Sequence, residues 1–598
     1  MEPHFKNSKS EIQEFFTDSS IFLTGGTGFI GQVLIEKILR SCYVKHLYLL
    51  VRLKKGKGPY TRMEKMFNNP LFKILRESQP DFISKITLIK GDCAEPNLGL
   101  EKKDEEFLIK NINIVIHCAA TINLTGALKQ TTFINIRSTR DLLLIAQKMT
   151  CLKSFVYVST AFSNTNQEVS KEIIYESPMK GETLIGMAET MSDSFLDSIT
   201  KQCIGTWPNT YTFSKCIAEN LVKEYGQHLP ITIARPSIVI PTCDEPFAGW
   251  FIPSLSVPTL IFGVTIGIVH VLFADPEAPA VIVPADKVAN MIITCAFHAS
   301  KKRNQGTPIQ VFNYVPNNIA PPFSYGKGFQ TFIRVIKENN IVSDKVIWVQ
   351  SITVTKSKIY YTLLFFFNYY VPAFIFDVVQ WCRGKKFRVM SLCTKFDNML
   401  LEMGSNFSTK IFHFDDTNLM SLIQQQSEED KHLFDMDLSK LNWEKYALKS
   451  ILEGREHLLN EVGNTEAGYK RQMHDGPLLW IINETTLDYF SFNQNLENND
   501  FSKSKQFYIK QLRSVKHSYY RYFRFKFIKT KLINNEPLNR TFLVYSNSNG
   551  NVYCAPCRLF RSKSVFTTVG LSNWKKDEEN ISEHENSITH KSCTLKMS

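Results

Sequence analysis

The sequence predicts a doubly wound α/β fold built on a parallel sheet. Three observations predict it: an apolar strand that runs into glycines spaced for a tight turn, further short apolar strands separated by segments of helical spacing, and a fifth strand followed by a helix. The first is Ile21-Phe22-Leu23-Thr24-Gly25-Gly26-Thr27-Gly28-Phe29-Ile30-Gly31, continued by Val33-Leu34-Ile35 and Ile38-Leu39. It reads as strand, turn and helix N-terminus, the place where a pyrophosphate sits on backbone N–H groups. Gly25 lets the chain turn, Gly28 lets the backbone approach phosphate, and Gly31 lets the helix pack on the strand. Thr24, Gly25, Thr27, Gly28, Phe29, Ile30 and Gly31 are therefore candidate cofactor contacts.

Leu47 to Val51 is a second buried strand, ending at Arg52 with Lys54, Lys55 and Lys57 beyond. The end of a second strand is where such folds inspect the adenosine ribose, and a cation there accepts an extra phosphate, so Arg52 favours NADP over NAD. A solvated basic loop is the other reading of the same charges. Ile86 to Ile89 is a third strand, closed by Gly91-Asp92, where a carboxylate could accept from the adenine amine. Ile112 to Ile116 is a fourth, ending His117-Cys118-Ala119-Ala120, where the small Ala119 and Ala120 leave room for the cofactor; Asn135 is expected to head the helix that follows. The four parallel strands with crossover helices make the fold Rossmann-like.

Ser154 to Val158 is a strand ending in Ser159-Thr160-Ala161, and Tyr211-Thr212-Phe213-Ser214-Lys215 opens a helix. Tyr211 and Lys215 share one helical face. A phenol with a reference pKa near about 10 is a poor proton donor and acceptor at neutral pH. An ammonium about 4 Å away favours phenolate by about 4 kcal/mol at an effective dielectric near 20, so the spacing predicts a Tyr211 tuned downward by at most about 3 pK units. Lys215 could also hold a nicotinamide ribose, and a hydroxyl from Thr160 or Ser159 would fix a substrate oxygen.

A chain of 598 residues is too long for one ordinary core, with about two to four domains expected. Its apolar and charged fractions are those of a folded protein. Thirteen scattered cysteines and a polar, charged start from Met1 to Phe15 predict a catalytic half facing a reducing cytosol. The net charge is +13, and Phe501 to Leu532 carries ten Lys or Arg with no acid.

Thr24 to Gly31, Leu50-Val51-Arg52, Gly91-Asp92 with Asn97-Leu98-Gly99-Leu100, His117 to Thr121, Val158 to Phe162, Tyr211 to Lys215 and Ala234 to Val239 resemble the fatty acyl-CoA reductases, which are extended short-chain dehydrogenase-type enzymes. The resemblance runs from about Glu11 to about Leu459. Val283 to Asn290 resembles the family's Pro-Val-Asp-x-Val-x-Asn helix start, with Ala285 replacing valine and Asp286 expected as an N-cap. Val371-Pro372-Ala373, Phe434 to Asp437, Leu441-Asn442-Trp443 and Gly454-Arg455 resemble the helical C-terminal domain, with Tyr369 and Tyr370 where a histidine is usual. It implies NADPH, a long-chain acyl-CoA substrate and two successive hydride transfers. In the first, Tyr211 and Thr160 stabilise an oxyanion as CoA thiolate leaves; in the second, Tyr211 protonates the alkoxide.

Two apolar spans stand out. Trp250 to Ala274 is long enough to span a bilayer, but Pro253, Pro258, Gly263 and Gly267 favour a loop-rich, apolar pocket wall, and the resemblance implies that it belongs to the acyl-binding lobe. Ile359 to Val379 carries only Asp377 as a charge and precedes Arg383, Lys385, Lys386 and Arg388; it is long enough to cross a bilayer, while its tyrosines and Pro372 suit an interfacial or a buried helix as well. The expected location is a membrane of the endoplasmic reticulum or peroxisome, with the catalytic domain in the cytosol.

After Asn460 the resemblance stops. The basic, aromatic run from Phe501 to Leu532 suits phosphates, stacked bases or anionic lipid. Cys554 and Cys557 with His584 and His590 have the ligand types of a tetrahedral zinc site, and the arrangement resembles the zinc finger of hAT-type transposases. That implies a fusion or insertion in origin, with nucleic acid as a partner only through this tail. The domains expected are an NADP-binding reductase domain over 11–345 with its acyl-binding lobe, a helical domain over 355–460, a polar then basic linker over 461–535 and a zinc-finger-like segment over 536–598. Two other readings are open: another extended dehydrogenase or epimerase acting on a sterol or sugar nucleotide, and a chimera whose tail takes a damaged reductase to nucleic acid.

Overall fold

The structure is a computed structural model of the chain. It describes residues 10–52, 59–252, 257–265, 267–301, 308–317, 319–339, 341, 343, 350–382, 389–459 and 461, and the strand residues 506–512, 515–521, 529–531, 537–539, 543–546 and 551–554.

The organising sheet has seven strands: β1 (Ser20–Thr24), β2 (His46–Val51), β3 (Ile86–Lys90), β4 (Ile114–His117), β5 (Ser154–Val158), β6 (Ile231–Pro236) and β7 (Gln310–Tyr314). Their order is β7-β6-β5-β4-β1-β2-β3 and every pairing is parallel. The period of two along each strand builds both faces of the sheet. Ile21, Leu23, Ile116 and Val156 go to one core, with Val33, Leu34 and Ile38 of helix Phe29–Ser41 and Val288 and Ile292 of helix Ala285–Lys301. Phe22, Val115, Phe155 and Tyr157 go to the other, with Leu142, Phe213, Ile217 and Leu221. Helices on both faces make the sheet doubly wound, as its apolar strands require.

Two local expectations need correction. Asn135 does not head its helix. The helical run begins at Leu128, passes through a π-turn at Thr132–Arg137 that contains Asn135, and continues to Lys148. Asp286 is not an N-cap but lies in the first turn of helix Ala285–Lys301, where its carboxylate accepts the backbone N–H groups of Cys243 (3.0 Å), Asp244 (2.8 Å) and Glu245 (3.0 Å). Those three donors belong to a loop with no ladder of its own, so the carboxylate does for the loop what a cap does for a helix.

C-terminal segments close over the edge at β7. Tyr314 donates its hydroxyl to the Met436 carbonyl (2.8 Å), Lys287 pairs with Asp435 (2.6 Å), and Asn313 Nδ2 reaches the Asp415 carbonyl (2.8 Å). Helix Trp443–Gly454 starts at Asn442, whose side chain accepts the N–H groups of Glu444 and Lys445. The segment 359–379 is not one uniform helix: Lys358–Phe365 is α-helical, Phe366–Tyr370 is a π-turn, and Val371–Cys382 is α-helical again. Among the described residues no helix is long and apolar enough to cross a membrane. The apolar span 250–274 opens with a fully buried Trp250 and forms helix Val257–Thr265 and strand Val271–Phe273.

By contacts the chain divides into two units. The first takes Met1–Thr265, Val269–Asn339 and Ile352–Asn460, and so holds the sheet and the C-terminal helices together; the second takes Ile266–Ile268, Asn340–Ser351 and Glu461–Ser598. The described parts of the second unit include three antiparallel strand pairs, Gln506–Leu512 with Val515–Arg521, Lys529–Lys531 with Pro537–Asn539, and Leu543–Ser546 with Asn551–Cys554. Of the expected zinc ligands, Cys554 ends a strand, and Cys557, His584 and His590 lie outside the described residues.

Candidate active site

The glycine turn follows β1, beside the point between β1 and β4 where strand order reverses, the place at which open α/β sheets bind ligands. Gly25 has φ +77°, and a Cβ on it would lie 2.7 Å from the Ala119 nitrogen. A Cβ on Gly31 would lie 2.2 Å from the Gly25 carbonyl oxygen. These two positions admit only glycine. Helix Phe29–Ser41 begins at Gly28 with no capping side chain and no acid in its first turn. Its leading N–H groups and the positive end of its dipole are thus left for an external anion, which fits a dinucleotide pyrophosphate beside Thr27, Gly28, Phe29 and Ile30. Ala119 and Ala120 lie in the segment after β4, and the Ala119 N–H donates to Thr24 Oγ1 (3.2 Å).

Arg52 follows β2 and is exposed at the rim. The neighbouring Gly91 N–H reaches the Val51 carbonyl (3.3 Å), which brings Arg52 and Asp92 to adjacent strand ends. Asp92 accepts from the Ala94 N–H (3.0 Å). Lys54, Lys55 and Lys57 lie outside the described residues.

Beyond β5 come Ser159 and Thr160, facing helix Thr210–Tyr225, which starts at the Asn209 side chain capping the Thr212 N–H (2.9 Å). Thr160 and Tyr211 are hydrogen-bonded through their side chains. Ser159 is directed elsewhere: its hydroxyl donates to Glu219, which also takes two hydrogen bonds from Arg235, with Nε at 2.8 Å, all three side chains being buried. Of the two hydroxyls the sequence offers, Thr160 is the one beside Tyr211.

The expected tuning of Tyr211 by Lys215 is not what the structure has. Burial pushes the Tyr211 phenol up to about 12, the Thr160 hydrogen bond opposes this, and Lys215 takes no part. The Lys215 ammonium is 2% exposed and donates to the Val158 carbonyl (2.7 Å) and the Tyr157 hydroxyl (3.4 Å). Burial lowers it to about 8, with Cys118 and Glu219 pulling the other way. The fourfold spacing puts both residues on one helix face, but burial dominates both shifts and neither residue contributes to the other's.

Sequence reading missed a buried polar chain running from the turn to this helix. The Thr24 hydroxyl, having accepted from Ala119, donates to His117 Nδ1 (2.7 Å); His117 Nε2–H then faces Thr139 Oγ1 (3.1 Å), and Thr139 donates to the Asn135 carbonyl (2.8 Å). The hydrogen bonds themselves fix this tautomer. Burial, aided by nearby Lys215, lowers His117 to about 3, so the ring is neutral. The Asn135 side chain brackets Thr121 and donates to Ser214 Oγ (2.9 Å), and Ser214 donates to the Tyr211 carbonyl (2.7 Å). One signal was available: a histidine ending the strand Ile-Val-Ile-His has no solvent and must find partners on both nitrogens.

Models of the male sterility protein family match this chain twice, an NAD-binding domain over residues 23–292 and a Sterile domain over 368–461. Fatty acyl-CoA reductase wat of Drosophila melanogaster is 34% identical over 488 residues, covering 81% of this chain and 92% of its own. Human fatty acyl-CoA reductase 1 is 33% identical over 452 residues, 75% of this chain and 86% of its own. The crystal structure of the terminal R domain from the myxalamid PKS-NRPS biosynthetic pathway shares the fold at TM-score 0.50 and 18% identity, covering 76% of this chain and 93% of that one. The two family matches end at residue 461, so they lend nothing to the zinc-finger reading of the tail. The glycine turn lies inside the NAD-binding match, which makes the group it is built for a nicotinamide cofactor. With most of each relative covered at such identity, the chain belongs to the fatty acyl-CoA reductase family of oxidoreductases.

Proposed function

We propose that this chain reduces long-chain fatty acyl-CoA to the fatty alcohol through a bound aldehyde, with NADPH as reductant. The observation that carries the reading is the meeting of a protonated Tyr211, its Thr160 partner and a cationic Lys215 at the end of β5, beside an uncapped glycine turn. The glycine turn would hold the dinucleotide pyrophosphate and Arg52 the ribose phosphate, and the cofactor when bound supplies hydride.

What the side chains do follows from their protonation. With its phenol pushed up to about 12, Tyr211 is a proton donor at neutral pH. Together with the Thr160 hydroxyl it would hold a carbonyl oxygen and stabilise the negative charge that grows there, a preorganised pair in a water-poor site. At the thioester stage that charge passes to sulfur as the C–S bond breaks and the CoA thiolate leaves. At the aldehyde stage Tyr211 gives its proton to the alkoxide. Each transient phenolate is offset by the Lys215 charge one helical turn on. Asn135 and Ser214 hold the Tyr211 backbone while this happens.

The test is expression in a host without such reductases, feeding acyl-CoAs of several lengths with NADPH or NADH, and analysing the lipids beside Tyr211→Phe and Arg52→Glu. Fatty alcohol formed with NADPH, lost in Tyr211→Phe and shifted toward NADH in Arg52→Glu, is the expected result. Folded protein that yields neither alcohol nor aldehyde at any chain length overturns the reading.

A further inference from the structure

Successive side chains of a strand point to opposite faces of its sheet. Ser159 and Thr160, consecutive just past β5, break this rule, because both bond to helix Thr210–Tyr225: Ser159 to Glu219 and Thr160 to Tyr211. Those two partners lie eight residues apart, about 12 Å of helix. Ser159 still sits on the last rung of the sheet, its N–H donating to the Ala234 carbonyl (2.8 Å). Thr160 is already outside it, its hydroxyl oxygen accepting the Phe162 N–H (3.3 Å) and its carbonyl the Ser163 N–H (3.1 Å). The chain therefore turns between the two residues, and the Ser159–Glu219 bond stands at the pivot.

The Glu219 carboxylate is itself fixed. Arg235 grips it with Nε on one oxygen (2.8 Å) and Nη2 on the other (2.5 Å), a bidentate pair whose side chains are 0% and 1% exposed. The remaining guanidinium N–H groups go to the Lys171 carbonyl (3.0 Å), the Ile173 carbonyl (2.8 Å) and Asn313 Oδ1 (3.4 Å), so all five donors are used. A buried ion pair is weak support for a fold, since apolar side chains of like volume often serve as well. What this one does that they could not is accept the Ser159 hydroxyl. We propose that Ser159 and Glu219 are positioning residues for the reduction: their bond clamps the turn that carries Thr160 and so aims the Thr160 hydroxyl, together with Tyr211, at one substrate oxygen. Neither touches the substrate; each acts through Thr160, where a displacement of about 1 Å can cost about 10²-fold in rate. The inference rests on the proposed reaction.

The experiment is a pair of double-mutant cycles on the purified full chain, with single-turnover rates read from NADPH absorbance at excess enzyme over a long-chain acyl-CoA. Ser159→Ala is expected to slow reduction by about tenfold or more, with the thermal melt and the Kd for NADPH, read from its fluorescence, unchanged. Ser159→Thr, which keeps a hydroxyl, should stay within about threefold of wild type. Thr160→Ala removes an oxyanion donor and should itself cost about 10²- to 10³-fold. In that background Ser159→Ala should cost less than about twofold more, because the group it aims is gone. Added to Glu219→Gln, it should again cost less than about twofold. Ser159→Ala at the wild-type rate overturns the inference. So does an equal loss with and without Thr160, which marks a packing role, or a Ser159 loss that adds in full to that of Glu219→Gln. An active wild type with any of these results overturns this inference alone, whereas a folded wild type that reduces no acyl-CoA overturns the proposed function and this inference with it.

Discussion

Helix Thr210–Tyr225 is rich in polar residues and yet eleven of its sixteen are buried, Lys215 and Glu219 among them. The run Lys358–Cys382 is nearly all apolar and yet leaves Ile359, Phe367, Phe374 and Trp381 exposed. Hydropathy alone would assign the two the other way round. What separates them is partnership. Lys215 and Glu219 of helix Thr210–Tyr225 find partners on the sheet at Val158, Tyr157 and Arg235, while Thr210, Thr212 and Ser214 bond to a loop or to the helix and its cap, so desolvation is offset residue by residue. Among the described residues no sheet covers the outer face of the second run, and its apolar side chains stay exposed.

The largest effect expected is on chemistry. Tyr211→Phe removes one hydroxyl from the buried helix and should lower kcat by about 10²- to 10⁴-fold, with the melting temperature little changed. An equal loss from serine substitutions on Ile359 or Phe374, assayed in detergent, would break the contrast by making the outer face part of the active site.

Next is the fold itself. Glu219→Ala leaves the fully buried Arg235 guanidinium without its carboxylate and should cost about 3–5 kcal/mol in urea unfolding, because an uncompensated buried charge remains. A cost below about 1 kcal/mol, the range of exposed ion pairs, would show that burial of this helix rests on its apolar side alone.

The third effect separates activity from stability through one proton. Lys215 is lowered to about 8 from 10.5, so between those values the unfolded chain holds a proton that the folded chain has shed. Stability should therefore rise as pH increases through that window. Activity should move the other way, with kcat/KM falling up to tenfold per unit above about pH 8 as the charge that offsets the phenolate is lost. A profile flat to pH 10 would remove Lys215 from the reaction.

Much of the first region was legible. The apolar runs of β1, β4 and β5, the glycine spacing and the Tyr211–Lys215 turn are local patterns, and local patterns set strands, turns and helix faces. Which hydroxyl faces Tyr211 was not legible, because Ser159 is drawn to Glu219 by Arg235, sixteen residues further along and on another strand. Nor was the direction of the Tyr211 shift, since a spacing argument counts the cation but not the water removed from both groups. Asn135 misled for a similar reason: its place is set by Ser214, 79 residues away, and the π-turn that accommodates it has no simple sequence signal. In the second region apolarity and length were legible, while which face packs on Phe273 and Leu400 depends on a strand about 90 residues earlier and a helix that follows.

The smallest effect expected is the most discriminating between the regions. Phe374 and Trp381 lose little area on folding, so Phe374→Ser and Trp381→Ser should each change unfolding free energy by no more than about 0.5 kcal/mol in detergent-free buffer. The control is Phe213→Ala on the catalytic helix, a fully buried ring whose removal should cost about 3–5 kcal/mol. Both measurements remove an aromatic side chain from a helix, which leaves burial as the difference. A loss of about 2 kcal/mol or more at Phe374 would mean that the protein in solution already covers this face. A loss near zero leaves the face free at no cost to the fold.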